Sequence, residues 1–138
     1  MKLVCDLETT TDPNDVRVWG WGAYDIEKDK SVTGSSIDDF FRKIVLRLPD
    51  KSIIYFHNLK FDGEFLFYYL FENGFRWTDD KELVHKEFKT LITRERAFYS
   101  LTIKWKAKTI VFYDSLKIIP FSVKQISKSF GIEQKKGI

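Results

Sequence analysis

Ser52-Ile53-Ile54-Tyr55-Phe56-His57-Asn58-Leu59-Lys60-Phe61-Asp62-Gly63 is the stretch on which the fold turns. Ser52 to Phe56 is a short continuous apolar run, the pattern of a strand buried on both faces and therefore of a parallel sheet. Parallel neighbours need a crossover, usually a helix. Asp62 to Glu72 supplies one, and Asn73-Gly74 closes it with a strong C-terminal signal. Between strand and helix stand His57, Asn58 and Asp62. Polar groups just past the carboxyl end of a strand occupy the place where α/β sheets bind ligands.

Working outward, the N-terminal side reads as strands. Lys2 to Thr9 alternates, with Leu3, Cys5 and Leu7 on one face and Val4, Asp6 and Glu8 on the other. Thr10 to Asn14 is a polar turn, Val16 to Tyr24 a second strand, Asp25 to Lys30 a charged hairpin turn and Ser31 to Gly34 a third strand. Ser36 is an N-cap for a helix from Ile37 to Leu48, with Asp38 and Asp39 in its first turn and Pro49 as its stop. On the C-terminal side, Thr90 to Arg94, Phe98 to Lys104 and Thr109 to Tyr113 are three more strands. Ser122 to Phe130 is a last helix ending at Gly131. This order predicts a single α/β domain over residues 1–138, a ribonuclease H-like mixed sheet with flanking helices.

With 138 residues, 43% hydrophobic and 17% aromatic, the chain can bury one good core. The longest apolar run, around Phe65 to Phe71, is broken by Glu64 and Glu72, so no membrane span is expected. Cys5 is the only cysteine, which excludes an internal disulfide and a thiolate metal site and fits a cytoplasmic compartment. The net charge of +3 is unevenly spread. Residues 1–80 carry 10 Lys and Arg against 15 Asp and Glu, whereas residues 81–138 carry 13 against 5. An acidic metal-collecting half joined to a basic half that meets phosphate has this pattern, and so does ordinary solvated surface.

Asp6 and Glu8 are two apart on a strand, so both side chains leave the same face. Adjacent like charges call for a cation between them, and hard oxygen ligands suit Mg²⁺ or Mn²⁺. Solvated acids on an exposed edge strand are the alternative. Asp62, read alone, is a helix N-cap, and Phe61 a hydrophobic staple. The grouping of acid, amide, imidazole and aromatic within six residues is what those local readings leave unexplained. Tyr113-Asp114-Ser115-Leu116-Lys117 reads as a strand end with a turn, and Lys135-Lys136-Gly137 as a basic tail.

Taken together, Cys5-Asp6-Leu7-Glu8-Thr9-Thr10-Thr11, Arg17-Val18-Trp19, Tyr55 to Gly63, Asn73-Gly74-Phe75 and Tyr113 to Lys117 closely resemble the N-terminal 3′→5′ exonuclease domain of protein-primed family B DNA polymerases of small phages. The resemblance covers essentially the whole chain. It implies catalytic and metal-binding roles for Asp6, Glu8 and Asp62 in a two-metal site for Mg²⁺ or Mn²⁺, and a catalytic role for Lys136. It further implies that Thr9, His57, Asn58, Phe61, Ser115 and Leu116 hold the single-stranded DNA 3′ end. The family's third motif, Tyr-x-x-x-Asp beyond the lysine, has no counterpart here. The expectation is an incomplete exonuclease domain with weak or no activity, set in the host cytoplasm. Its expected partners are a terminal protein, the remaining polymerase domains, or a second copy through an apolar face left bare. A non-catalytic module that binds single strands or docks on a replication protein is the rival, and a ribonuclease H-type endonuclease a third reading.

Overall fold

The computed structural model describes residues 1–57, 59–92 and 98–114. In chain order it holds β1 (Lys2–Thr9), β2 (Val18–Asp25), β3 (Lys30–Gly34), α1 (Ile37–Lys43), β4 (Ser52–Phe56), α2 (Leu59–Glu72), β5 (Arg76–Trp77), β6 (Glu87–Ile92), β7 (Phe98–Trp105) and β8 (Lys108–Asp114). The strands form one mixed sheet in the order β3-β2-β1-β4-β8-β7-β6-β5. β1, β4 and β8 are mutually parallel at its centre. Antiparallel hairpins extend it on both sides, through β2 and β3 and through β7 and β6.

The registers sort the side chains. Leu3, Ile54, Phe112 and Leu101 stand in one row across four strands, all buried, and belong to a single core with Phe40, Phe41, Leu66 and Leu70 of α1 and α2. Both helices therefore pack on the face that Leu3, Cys5 and Leu7 share, as the alternation in β1 requires. Aromatic rings fill the space between layers: Phe56 lies against Phe112 at 6.2 Å, Phe40 meets Phe56 edge-on at 6.1 Å, and Phe41 stacks on Tyr69 at 3.8 Å. Val4, Asp6 and Glu8 point to the other face.

Trp21 shows how α1 is tied to the sheet. Its indole N–H donates to Asp39 Oδ2 at 3.1 Å, and the same oxygen accepts the Ser35 N–H at 2.9 Å. Lys43 closes an ion pair with Asp39 Oδ1 at 3.0 Å. Asp39 is only 7% exposed, and these bonds satisfy what burial would otherwise penalise. They hold its carboxyl below the ordinary 3.8, the Ser35 N–H first, then Lys43 and Trp21. A depressed carboxyl adds stability that is fully present above the unfolded value and lost as pH falls through the folded one. Asp39→Asn should therefore flatten the acid limb of a denaturation series as the pH falls through and below the ordinary carboxylate range.

Helix α2 ends as the sequence predicts. Gly74 sits at φ +80°, and the Gly74 and Phe75 N–H groups donate to Phe71 and Leu70 carbonyls at 3.3 and 2.9 Å, the paired bonds of a Schellman cap. Gly74→Ala should cost about 1 kcal/mol in urea denaturation, because alanine resists the left-handed conformation.

Most boundaries fall within about one residue of the sequence reading, and four described ones differ by more. The first helix stops at Lys43 instead of Leu48, and Val45–Arg47 tighten into a 3₁₀ turn. The β-branched pair Ile44-Val45 is a poor helix continuation, and the tighter turn keeps Val45 fully buried. The second helix starts at Leu59, not Asp62, because buried Leu59 anchors an extra turn in the core. β2 begins at Val18 instead of Val16, after the Arg17 carbonyl accepts the Thr10 N–H at 2.9 Å. β6 begins at Glu87 instead of Thr90, and pairs with the two-residue β5, too short to leave a periodic signal. The Ser122 to Phe130 helix and the Arg94 end of the Thr90 strand lie outside the described residues.

Candidate active site

β1 lies third from the sheet edge, between β2 and β4, so Asp6 and Glu8 are not solvated acids on an edge strand. Asp6 is 5% exposed, and Glu8 is half-buried with its Oε1 shielded from solvent. Opposite them on β2 stand Gly22 and Gly20. A cross-strand pair is where a lysine or arginine would normally offset a carboxylate, and here both opposing positions lack a side chain. The sequence reading passed over these glycines. Their signal is the two-residue spacing in Gly20-Trp21-Gly22, which matches Asp6-Leu7-Glu8 across the hairpin.

β4 pairs with β1 only as far as Cys5 and Phe56. Asp6 to Thr9 therefore run past the end of β4, where the chain turns through His57 into α2. His57 is half-buried, and its Nδ1 is shielded from solvent without a hydrogen-bond partner among the described residues. Asp62 sits inside the first turn of α2, 2% exposed, and is not the N-cap that its place in the sequence suggests. Burial pushes the Cys5 thiol well up, and the charges of Asp6 and then Asp62 push it further. Two carboxylates from separate elements thus bear on one buried sulfur in the middle of β1, level with the end of β4.

Around these acids, Thr9 ends β1 after a register shift at Glu8, and its carbonyl accepts the Trp19 indole N–H at 3.1 Å. Irregular pairing of this kind is frequent beside functional sites. Phe61 is 45% exposed, with its ring edge-on to Phe65 at 5.6 Å. Asp114, read from sequence as a turn residue, is an 8% exposed acid in register with Phe56. Asn58, Ser115, Leu116 and Lys136 lie outside the described residues. Among the described residues, no three His, Cys, Asp or Glu side chains are grouped closely enough to hold a metal ion as they stand.

A central parallel trio extended by antiparallel hairpins, with helices packed on the sheet, is a ribonuclease H-like α/β fold. The family described as DNA polymerase type B, organellar and viral, matches residues 44–138, and the chain belongs to that family. The DNA polymerase of Bacillus phage PZA is 40% identical over 140 residues, covering 96% of this chain and 23% of that protein. Phi29 DNA polymerase complexed with primer-template DNA superimposes with a TM-score of 0.79 at 38% identity, over 94% of this chain and 23% of that one. Phi29 DNA polymerase complexed with single-stranded DNA gives a TM-score of 0.77 at 40% identity, over 94% and 23%. The chain thus spans about a quarter of the length of these relatives.

Proposed function

We propose that the chain is one 3′→5′ exonuclease domain of a protein-primed phage DNA polymerase, trimming the 3′ end of single-stranded DNA. The observation that carries this reading is the burial of Asp6 and Asp62, from a strand and a helix and both near enough to Cys5 to act on its thiol, with Glu8 on the same face as Asp6. Three carboxylates are a hard donor set that fits Mg²⁺ or Mn²⁺. Asp6, Glu8 and Asp62 would hold the ions, which supply Lewis-acid polarisation and an activated water at neutral pH. The chain's own residues position the strand. Phe61 offers a half-exposed ring to an unstacked base, and His57 and Thr9 offer polar atoms to sugar and phosphate, with Asn58, Ser115, Leu116 and Lys136 joining them by resemblance. That phi29 DNA polymerase is seen with single-stranded and primer-template DNA supports DNA as the partner. Terminal protein and further polymerase segments are the proposed protein partners, in the host cytoplasm.

A non-catalytic strand-binding module is the second reading, favoured by the absence of a formed three-ligand group among the described residues. A 5′-labelled oligonucleotide incubated with Mn²⁺ separates the readings. Stepwise shortening from the 3′ end, lost in Asp6→Ala and Asp62→Ala, is the expected result. Metal-dependent binding without products would establish the module instead, and internal cuts an endonuclease. Binding that is equal in all three proteins would remove the site altogether. Phe61→Ala should weaken single-strand affinity by about 1–3 kcal/mol, the worth of one stacked base, with the melting temperature nearly unchanged.

A further inference from the structure

Far from the acids, a cavity of about 360 Å³ opens at the junction of β6, β7 and β8, lined by Lys81, Glu82, Leu83, Lys89, Thr102, Lys104 and Thr109. The registers place Lys89 beside Thr102, and Lys104 beside Thr109, on one face of the sheet. Val111 is level with Lys2, so Thr109 lies two strands across and six residues along from Asp6. At about 4.8 Å per strand and 3.3 Å per residue, that separation is roughly 20 Å. The cavity is therefore a different site from the one at the end of β1.

Two of its lysines direct their hydrogen bonds to uncharged groups. Lys89 Nζ donates to the Lys81 carbonyl at 3.1 Å, and Lys104 Nζ to Thr109 Oγ1 at 3.3 Å, both neutral acceptors. Two nearby acids are shared with other groups: Asp50 feels the charge of Lys104, and Glu87 is the cross-strand neighbour of Lys104. Glu87 takes Arg76 at 3.6 Å and the Val84 N–H at 2.9 Å, and Asp50 takes the Thr109 N–H at 2.8 Å. Glu82 is the single acid lining the cavity. Lys81, Lys89 and Lys104 around one cavity, beside the Thr102 and Thr109 side chains, offer a receptor for an oxyanion with several acceptor oxygens.

We infer that this cavity binds a backbone phosphate of nucleic acid away from the trimmed end. The inference rests on the reading of DNA as the partner. It requires no metal, because the cations come from the chain, and it locates part of the basic charge of residues 81–138 at one receptor. Phosphate contacts of this kind position a strand without reading its sequence.

The test is fluorescence anisotropy of a labelled oligothymidylate on the whole chain without divalent metal, across a salt series. Lys89→Gln/Lys104→Gln should bind about tenfold more weakly and lower the log–log salt slope by about 1.4, two lost contacts on a single strand. Lys89→Arg/Lys104→Arg should keep wild-type binding, which separates lost charge from disturbed folding. Thymidine monophosphate and inorganic phosphate, added as competitors at equal phosphate, should displace little of the oligonucleotide. Unchanged affinity and slope in the glutamine variant would overturn the inference. So would a cavity that takes the free phosphates while oligonucleotide binding ignores the substitutions. Asp6→Asn/Asp62→Asn should leave this metal-free binding intact while removing Mn²⁺-dependent trimming, so the two readings fail separately.

Discussion

Asp6→Asn and Asp62→Asn are each expected to abolish Mn²⁺-dependent shortening of a labelled oligonucleotide, by at least about 10²–10³-fold, while raising the melting temperature of the chain. The loss follows from the site's make-up. A preorganised charged group aimed at developing charge is worth factors of about that size, and here the group is one of three carboxylates that would hold the ions. The gain in stability follows from the same burial. Asp6 and Asp62 are 5% and 2% exposed, and Asp6 shares a sheet face with Glu8 two residues along β1. An amide of the same shape removes one buried negative charge, a change expected to stabilise by about 1 kcal/mol. The opposite signs make the test informative. Variants that lose activity and also melt earlier would show the acids to be structural, and variants that keep trimming would show the site to lie elsewhere.

Gly34→Ala is expected to cost the fold about 3 kcal/mol. A Cβ at position 34 would enter the Trp21 ring and the Asp39 carboxylate. Trp21 is buried against Phe40 at 5.5 Å, so its ring has nowhere to retreat. Overpacking of this kind typically costs about 1–3 kcal/mol. Disturbing the Trp21–Asp39 hydrogen bond, with its acceptor buried, adds about 1–3 kcal/mol. Urea denaturation would report it, with the melting temperature falling by roughly 10 °C for a chain of this size. A smaller ring should make room, so Trp21→Phe added to Gly34→Ala should recover part of the loss. An unchanged midpoint in Gly34→Ala would mean that the Trp21 contact does not hold β2, β3 and α1 together.

Periodicity exposed most of the strands and the crossover because each depends on local alternation or a local stop. Leu3, Cys5 and Leu7 face the core as the alternation requires, and Gly74 takes the left-handed cap that Asn73-Gly74 announces. The boundaries that shifted answer to distant partners. Leu59 starts α2 early because the core accepts it, Val45 draws the end of α1 into a tighter turn, and β5 exists only because β6 lies beside it. Asp62 shows the consequence for the site. Read locally it is a cap, but one extra turn of helix moves it inside, where its carboxylate is buried.

By itself, then, the sequence determined the residue types of the site, the alternation that sends Asp6 and Glu8 to one face, and a motif order specific enough to name the family. These are local matters, decided within a few residues along the chain. Only the tertiary structure decided that β1 is interior, so that its acids are buried and not edge-solvated, and that glycines stand opposite both. It also decided that Asp62 bears on the same thiol as Asp6, and that Lys81, Lys89 and Lys104 meet around one cavity. Those facts depend on strand order and register, which arise from contacts between residues far apart in sequence and leave no mark on any single stretch of it.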